Sequence, residues 1–126
     1  MNNTLILNTF LNQLEECFND ISKIYEVDKR FVAARLYFDG VKKTNPKLII
    51  KTWKTRVTDK YYEQIELGNI DYFIAKDYTT EDGYTQTIDS VINELKECIK
   101  TMSDENKSIM LKYLQNLCKL SNLYIL

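Results

Sequence analysis

The chain of 126 residues contains no histidine. Histidine is the commonest general base, a member of the usual catalytic triads and a frequent zinc ligand, so its absence removes most routes to those chemistries. Glycine occurs three times, which is too scattered for a phosphate-binding loop, and proline occurs once. So few turn-forming residues favour helices over a sheet with many tight turns. We therefore expect no catalytic residue, no cofactor and no metal site.

Cysteine is also scarce, with Cys17, Cys98 and Cys118 far apart in the sequence. No two cysteines are spaced as zinc ligands would be, and each lies among apolar residues at helical spacing. This pattern predicts three buried thiols in a reducing compartment. The alternative, a redox role, would need an exposed thiol with a lowered pKa.

The sequence also lacks a long apolar run. No stretch approaches the roughly 20 apolar residues that a membrane span needs. The N-terminal segment has no positively charged start, and its apolar run at residues 5–7 is too short for a signal peptide. We therefore expect a protein of the cytoplasm that does not enter a membrane.

Apolar residues recur every three or four positions along most of the chain. This periodicity predicts long amphipathic helices near residues 4–26, 85–102 and 104–123, with shorter helices between them. No linker or internal repeat divides the sequence, and 44% of its residues are hydrophobic, enough for one core. The predicted fold is all-α: residues 1–126 form a single-domain helical bundle of about five to six helices.

Several residues predict where the helices begin and end. Thr4, Asp28 and Ser103 are candidate N-caps, and Asn45-Pro46 is a strong helix start. The dipeptide Asp39-Gly40 is expected to end the second helix, because glycine suits the residue that follows a helix. Asp59 is expected to cap a further short helix that Gly68 closes, and residues 77–84 are expected to form a loop.

Charge is polarised in the middle of the chain. Residues 41–60 carry seven basic side chains and one acid, whereas residues 61–84 carry six acids and one lysine. One interpretation is a basic stripe that binds nucleic-acid phosphates. Its candidate residues are Lys43, Lys47, Lys51, Lys54 and Arg56. The other interpretation, a solvated helix face, is favoured because the net charge is −1 and nucleic-acid-binding domains are usually basic.

Aromatic residues are concentrated in the same region. Trp53 shares a face with Ile49, Ile50 and Val57, which predicts a core residue more than a platform for stacked bases. Five of the nine tyrosines lie within 24 residues around the acidic segment: Tyr61, Tyr62, Tyr72, Tyr78 and Tyr84. Tyrosine is enriched at protein interfaces because it buries a large area and keeps a polar tip, although half-buried tyrosines at the domain edge would give the same pattern.

The apolar C-terminus is a second candidate surface. Leu123 and Leu126 belong to an end that must either pack on the core or meet a partner. Among the acids, Glu63 and Asp71 lie between tyrosine and phenylalanine residues and are the best remaining candidates for a carboxylate-based site. Solvated acids are so common on helices that we expect no enzyme.

Residues 45–53, 61–73, 76–78 and 106–124 resemble small uncharacterised helical proteins of nucleocytoplasmic large (giant) DNA viruses. The composition, rich in asparagine, lysine and isoleucine, also suits an AT-rich genome. The resemblance covers about half of the chain and assigns no functional residue. It implies a viral protein that acts in the host cytoplasm or is packaged in the virion.

These observations together predict a non-enzymatic helical module that binds a protein partner. The tyrosine-rich segment and the apolar C-terminus are its expected surfaces, and self-association is an alternative if the apolar helix faces exceed what one core buries. The second hypothesis is a nucleic-acid-associated protein that uses the basic residues of segment 42–60.

Overall fold

The computed structural model describes residues 2–24, 28–75 and 86–125. None of these residues lies in a β-strand. The elements are α1 (Asn3–Ile24), α2 (Lys29–Thr44), α3 (Pro46–Trp53), a π-helical turn (Lys54–Thr58), α4 (Asp59–Glu66), α5 (Ile70–Ala75), α6 (Ile88–Lys100) and α7 (Asp104–Leu123). Because α3, the π-helical turn and α4 wind without a break, the described part holds six helices, and the predicted all-α fold is confirmed. The predicted loop 77–84 and residues 25–26 of the first predicted helix lie outside the described residues.

The two long terminal helices form the frame of the bundle. α1 packs along α7, α2 packs on α6, and α3 contacts both α1 and α2. Their apolar stripes meet in one core whose largest side chains include Phe10, Phe18, Phe38 and Trp53. Each such side chain contributes roughly 1.5–3 kcal/mol by leaving water, so the amphipathic periodicity is what drives the helices together.

The N-cap of α1 differs from the prediction. The backbone N–H of Leu5 donates to Asn2 Oδ1 at 2.8 Å, so Asn2 caps the helix and Thr4 lies within its first turn. The other two predicted caps are confirmed: Asp28 accepts from Phe31 N–H at 3.1 Å, and Ser103 accepts from Asn106 N–H at 3.2 Å. Each cap satisfies one amide hydrogen that the helix itself leaves without a partner.

The predicted end of α2 at Asp39-Gly40 is wrong, because the helix continues to Thr44. Before the glycine, Phe38 is buried and Arg35 pairs with Asp39 across one turn at 3.3 Å. After it, Val41 packs against the core and Lys42 lies 2.6 Å from Glu15 of α1, so contacts support the helix on both sides of Gly40. The helix stops only where Pro46 disfavours helical backbone at the residue before it.

The predicted cap at Asp59 is wrong, because Asp59 is itself the first residue of α4. Thr58 and Asp59 both have helical backbone, and a π-helical turn carries the chain from α3 into α4. The predicted closure at Gly68 is confirmed, since Gly68 has a φ of 85° and its N–H donates to the Ile65 carbonyl at 3.0 Å. Such a left-handed backbone favours glycine because it has no Cβ.

The predicted burial of all three cysteines is confirmed. Burial raises the pKa of Cys98 to about 12 and that of Cys118 to about 11, and it raises the pKa of Cys17 as well. These thiols therefore stay protonated and unreactive in the folded protein, as expected of small apolar core residues. Within the described residues, none of the helices has the length and apolar character needed to cross a membrane.

Candidate functional site

The structure removes Tyr61 from the predicted protein-binding surface. Its side chain is only 2% exposed, and its ring packs edge-on against Phe73 and Tyr72 with centroid distances of 5.6 and 5.9 Å. Tyr61 is therefore a core residue that joins α4 to α5. The prediction that Tyr61 contacts a partner was wrong because its side chain faces the core. The adjacent Tyr62 is the one that is partly exposed on the outer face of α4.

Tyr62 and Tyr72 remain at the surface, where both line one open groove. Tyr62 is half-buried and Tyr72 is 40% exposed. The groove has a volume of about 490 Å³ and lies between α4, the side of α5 and the end of α7. Its lining residues are Thr58, Asp59, Lys60, Tyr62, Glu63, Gln64, Tyr72 and Asn122. The predicted residues Tyr78, Tyr84 and Leu126 lie outside the described residues.

The turn between α4 and α5 explains why Tyr72 stands beside α4. After Gly68 reverses the chain, the N–H of Asn69 donates to the Gln64 carbonyl at 2.8 Å, and its side-chain amide donates to Gln64 Oε1 at 3.1 Å. Asn69 Oδ1 in turn accepts from the N–H of Tyr72 at 3.4 Å. One asparagine thus fixes the start of α5 and places Tyr72 on the groove wall.

Thr58, which lines the groove, is one of a buried pair of hydroxyl side chains. Thr58, at the end of the π-helical turn, and Ser121 of α7 lie 2.6 Å apart between their hydroxyl oxygens. Because the Ser121 hydroxyl donates to the Cys118 carbonyl at 2.9 Å, the Thr58 hydroxyl must donate to Ser121. The extra residue in the π-helical turn turns Thr58 inward toward α7, which ties the groove to the bundle frame.

Charges around the groove are mostly paired. At one end the Lys54 ammonium lies 3.1 Å from Asp59 Oδ1 and 3.2 Å from Asn122 Oδ1. Glu63, an exposed residue that lines the groove, has no ion-pair partner among the described residues. Lys60 lies on the same side of α4. The groove therefore offers one uncommitted carboxylate next to two tyrosines.

The predicted basic stripe divides into a paired part and an unpaired part. Lys54 binds Asp59, and the Arg56 guanidinium lies 3.1 Å from Asp89. In the same region Lys42 lies 2.6 Å from Glu15, and that bond lowers the pKa of Glu15. The unpaired part consists of three exposed lysines, Lys43, Lys47 and Lys51. Their ammonium groups have no ion-pair partner within the described ranges.

The predicted C-terminal surface is partly packed and partly exposed. Tyr124 is buried, whereas Leu123 is 55% exposed and Ile125 is 77% exposed. The backbone of Ile125 is held to the first turn of α1 through Asn3. Packing on the core is therefore confirmed for Tyr124, whereas contact of the exposed Leu123 with a partner stays a prediction.

Lys96 is a buried residue that the sequence reasoning missed. It is 2% exposed, and its ammonium lies 4.9 Å from the ring centre of Tyr61 and 4.7 Å from that of Phe73. Cation–π contacts of this kind are worth about 2 kcal/mol or more when desolvated. A signal was present, because Lys96 lies four residues after Ile92 and three before Ile99, on the apolar stripe of α6.

The described residues offer little for catalysis. Glu63 and Asp71 are exposed, whereas a general acid works best in an apolar pocket. The pKa of Glu94, half-buried on α6, is raised by burial and by Asp28, but Glu94 does not line the groove. An apolar cavity in the core holds only about 10 Å³, far below the few hundred Å³ of a typical ligand pocket. Among the described residues, histidine, cysteine and acidic side chains form no group of three or more that would hold a metal.

Comparison with known proteins identifies no relative: no protein-family model, no curated protein and no solved structure matches the chain. The resemblance to small helical proteins of giant DNA viruses therefore stays a prediction.

Proposed function

We propose that this protein is a non-enzymatic interaction module that docks a protein partner in the groove edged by Tyr62 and Tyr72. The observation that carries the proposal is the convergence of these two partly exposed tyrosines on one open groove. Tyrosine and other aromatic residues often dominate binding energy at interfaces, because they bury much area at a small cost in side-chain entropy.

The structure around the groove supports a rigid docking site. α4 is fixed to α7 through the hydroxyls of Thr58 and Ser121, and the side-chain amide of Gln115 on α7 donates to the Ile65 carbonyl at 3.0 Å. A site held by two neighbouring elements loses little conformational freedom when a partner binds. We infer from the sequence resemblance that the partner is met in the host cytoplasm or in the virion.

Affinity purification from cells that produce the protein tests this function. The wild-type chain, Tyr62→Ala and the control Tyr37→Ala are compared by mass spectrometry, with and without nuclease. Tyr37 is a half-buried tyrosine on α2 that packs against the core but does not line the groove. We expect nuclease-resistant capture of a partner that Tyr62→Ala reduces at least about tenfold, as loss of a hot-spot residue does.

The proposal is wrong if Tyr62→Ala and Tyr37→Ala capture the same partners equally well. A concentration-dependent mass of the purified protein that Tyr62→Ala abolishes would identify the partner as a second copy of the chain. Self-association that Tyr62→Ala leaves intact would instead place the interface elsewhere, with exposed Leu123 and Ile125 as the next candidates.

The second candidate function is nucleic-acid binding through Lys43, Lys47 and Lys51. The observation in its favour is that these exposed lysines have no ion-pair partner among the described residues. Binding of this kind weakens steeply with added salt, because each neutralised phosphate releases counterions. The double variant Lys47→Glu/Lys51→Glu is expected to abolish it, whereas the control Lys23→Glu/Lys112→Glu changes the net charge equally at exposed lysines on α1 and α7. Equal loss in both variants would assign the effect to net charge alone.

A further inference from the structure

The acids near the groove differ in how their charges are compensated. Asp59 pairs with Lys54 at 3.1 Å, Glu66 lies 3.7 Å from Lys119, and Asp71 lies 3.7 Å from Lys107. Glu63 is the exception, with no ion-pair partner in the part of the chain that the structure describes. An exposed carboxylate that lines the same groove as two tyrosines is a site at which a cation from outside can be held.

The neighbouring tyrosines favour the same kind of ligand. The face of an aromatic ring carries negative partial charge and attracts ammonium and guanidinium groups. This fold already holds one cation in that way, since the Lys96 ammonium lies between the rings of Tyr61 and Phe73 on the inner side of α4 and α5. Tyr62 and Tyr72 place two more rings from the same helices on the outer side.

Guanidinium fits this combination better than ammonium does. Its planar fork binds a carboxylate through two parallel hydrogen bonds, and its face stacks on an aromatic ring. The groove also contains Lys60, and Lys54 lies at its end beside Asp59 and Asn122. The Lys54 charge is already compensated by Asp59, so Glu63 is the described carboxylate of the groove that remains for an arginine of the partner.

We propose that the groove binds an arginine side chain of the partner, with its guanidinium on the carboxylate of Glu63 and against the rings of Tyr62 and Tyr72. The inference rests on the proposed function and names the chemistry that its docking site recognises. The same geometry predicts discrimination against citrulline, which keeps the shape of arginine and loses its charge.

An NMR titration of the full chain tests the inference with defined probes. Capped peptides of sequence Gly-Gly-Arg-Gly-Gly, and the same peptide with citrulline in place of arginine, are added to ¹⁵N-labelled protein. We expect saturable shifts at the amides of Tyr62, Glu63 and Tyr72 with the single-arginine peptide. Citrulline should weaken binding about tenfold, the usual effect of losing one charge-assisted contact.

Two matched variants complete the test. Glu63→Gln is expected to weaken the arginine peptide about tenfold, whereas Glu105→Gln, an equal charge change at an exposed acid on α7, should leave its affinity unchanged. Absence of saturable shifts at about 10 mM peptide, equal binding of citrulline, or no effect of Glu63→Gln would overturn the inference.

The outcomes for this inference and for the proposed function remain distinguishable. If the cellular partner is lost with Tyr62→Ala and retained with Glu63→Gln, the docking function holds and the arginine assignment fails. If Tyr62→Ala has no effect on capture, the docking function itself fails.

Discussion

Asn3 and Ile125 exchange two hydrogen bonds across 122 residues of sequence. The side-chain amide of Asn3 donates to the Ile125 carbonyl at 2.8 Å, and the N–H of Ile125 donates to Asn3 Oδ1 at 3.0 Å. One asparagine side chain thus pairs with the backbone of the C-terminal segment as a strand neighbour would. The pair holds the end of the chain beside the first turn of α1.

Replacing Asn3 with alanine should release this end. We expect a loss of about 1–2 kcal/mol in the free energy of unfolding, because two net hydrogen bonds are removed at a partly exposed site. The amide of Ile125 should lose its protection from hydrogen exchange, which NMR measures directly. The control Asn12→Ala removes an exposed asparagine from the same helix and should change neither quantity by more than about 0.5 kcal/mol. Unchanged exchange at Ile125 in Asn3→Ala would show that the pair does not hold the C-terminus.

The sequence could predict the helices because burial imposes a period of three to four residues on every one of them. It could also predict breaks that local chemistry enforces, such as Pro46, the Ser103 cap and the left-handed Gly68. It could not predict that Gly40 lies inside a helix, because a glycine ends a helix only when tertiary contacts do not support both sides of it.

The candidate site was harder to predict than the fold. Tyr61 and Tyr62 are adjacent, and which of them faces the core depends on how far the helix has rotated by that point. The π-helical turn at Lys54–Thr58 adds one extra residue to the helix, so it changes which side chains after it face the core. No residue type marks such a turn in the sequence. The spacing of the lysines could be predicted from the sequence. The ion pairs of Lys54 and Arg56 with acids could not, because they depend on tertiary contacts.

Two glycines in different backbone conformations give opposite predictions. Gly40 lies within α2, has no positive φ, and a Cβ built on it would meet nothing within 4 Å. Gly40→Ala should therefore stabilise the protein by about 0.5–1 kcal/mol, since alanine restricts the unfolded chain and favours helix. Gly68→Ala should destabilise it by about 1 kcal/mol or more, because Gly68 has a φ of 85°.

Urea unfolding of the two variants measures both effects. A destabilised Gly40→Ala would mean that α2 does not run through Gly40 as the structure shows. Destabilisation of the same size in both variants would also contradict the assignment of different backbone conformations.

The buried hydroxyls of Thr58 and Ser121 should be energetically coupled. Thr58→Val keeps the shape of the side chain and removes its donor, while Ser121→Ala leaves the Thr58 hydroxyl without the acceptor that it uses. We expect each single variant to lose about 1–2 kcal/mol of unfolding free energy, and the double variant to lose less than their sum by about 1 kcal/mol. A double-mutant cycle in urea measures this coupling. Additive losses would show that the 2.6 Å contact contributes no interaction energy.

The three buried thiols predict that the protein loses stability in alkaline solution. Burial raises the pKa of Cys118 to about 11 and that of Cys98 to about 12 from an ordinary value of 9.0, so the unfolded chain releases these protons first. Their contribution to stability is complete below pH 9 and is lost as the pH rises through the folded-state values. Tyr113 acts in the same direction, because burial and its hydrogen bond to Asp20 raise its pKa.

Urea unfolding at several pH values between 7 and 11, in the presence of a reductant, measures this loss. The free energy of unfolding should stay level to about pH 8.5 and fall by roughly 2 kcal/mol or more by pH 11. Cys118→Ala should start from a lower stability and lose less of it between pH 9 and 11, since one of the titrating thiols is gone. Lysine and tyrosine groups that also titrate in this range are the same in both proteins, so the difference between the two curves isolates Cys118. Parallel curves would mean that the Cys118 thiol ionises as readily in the folded chain as in the unfolded one, and that α7 does not shield it from water.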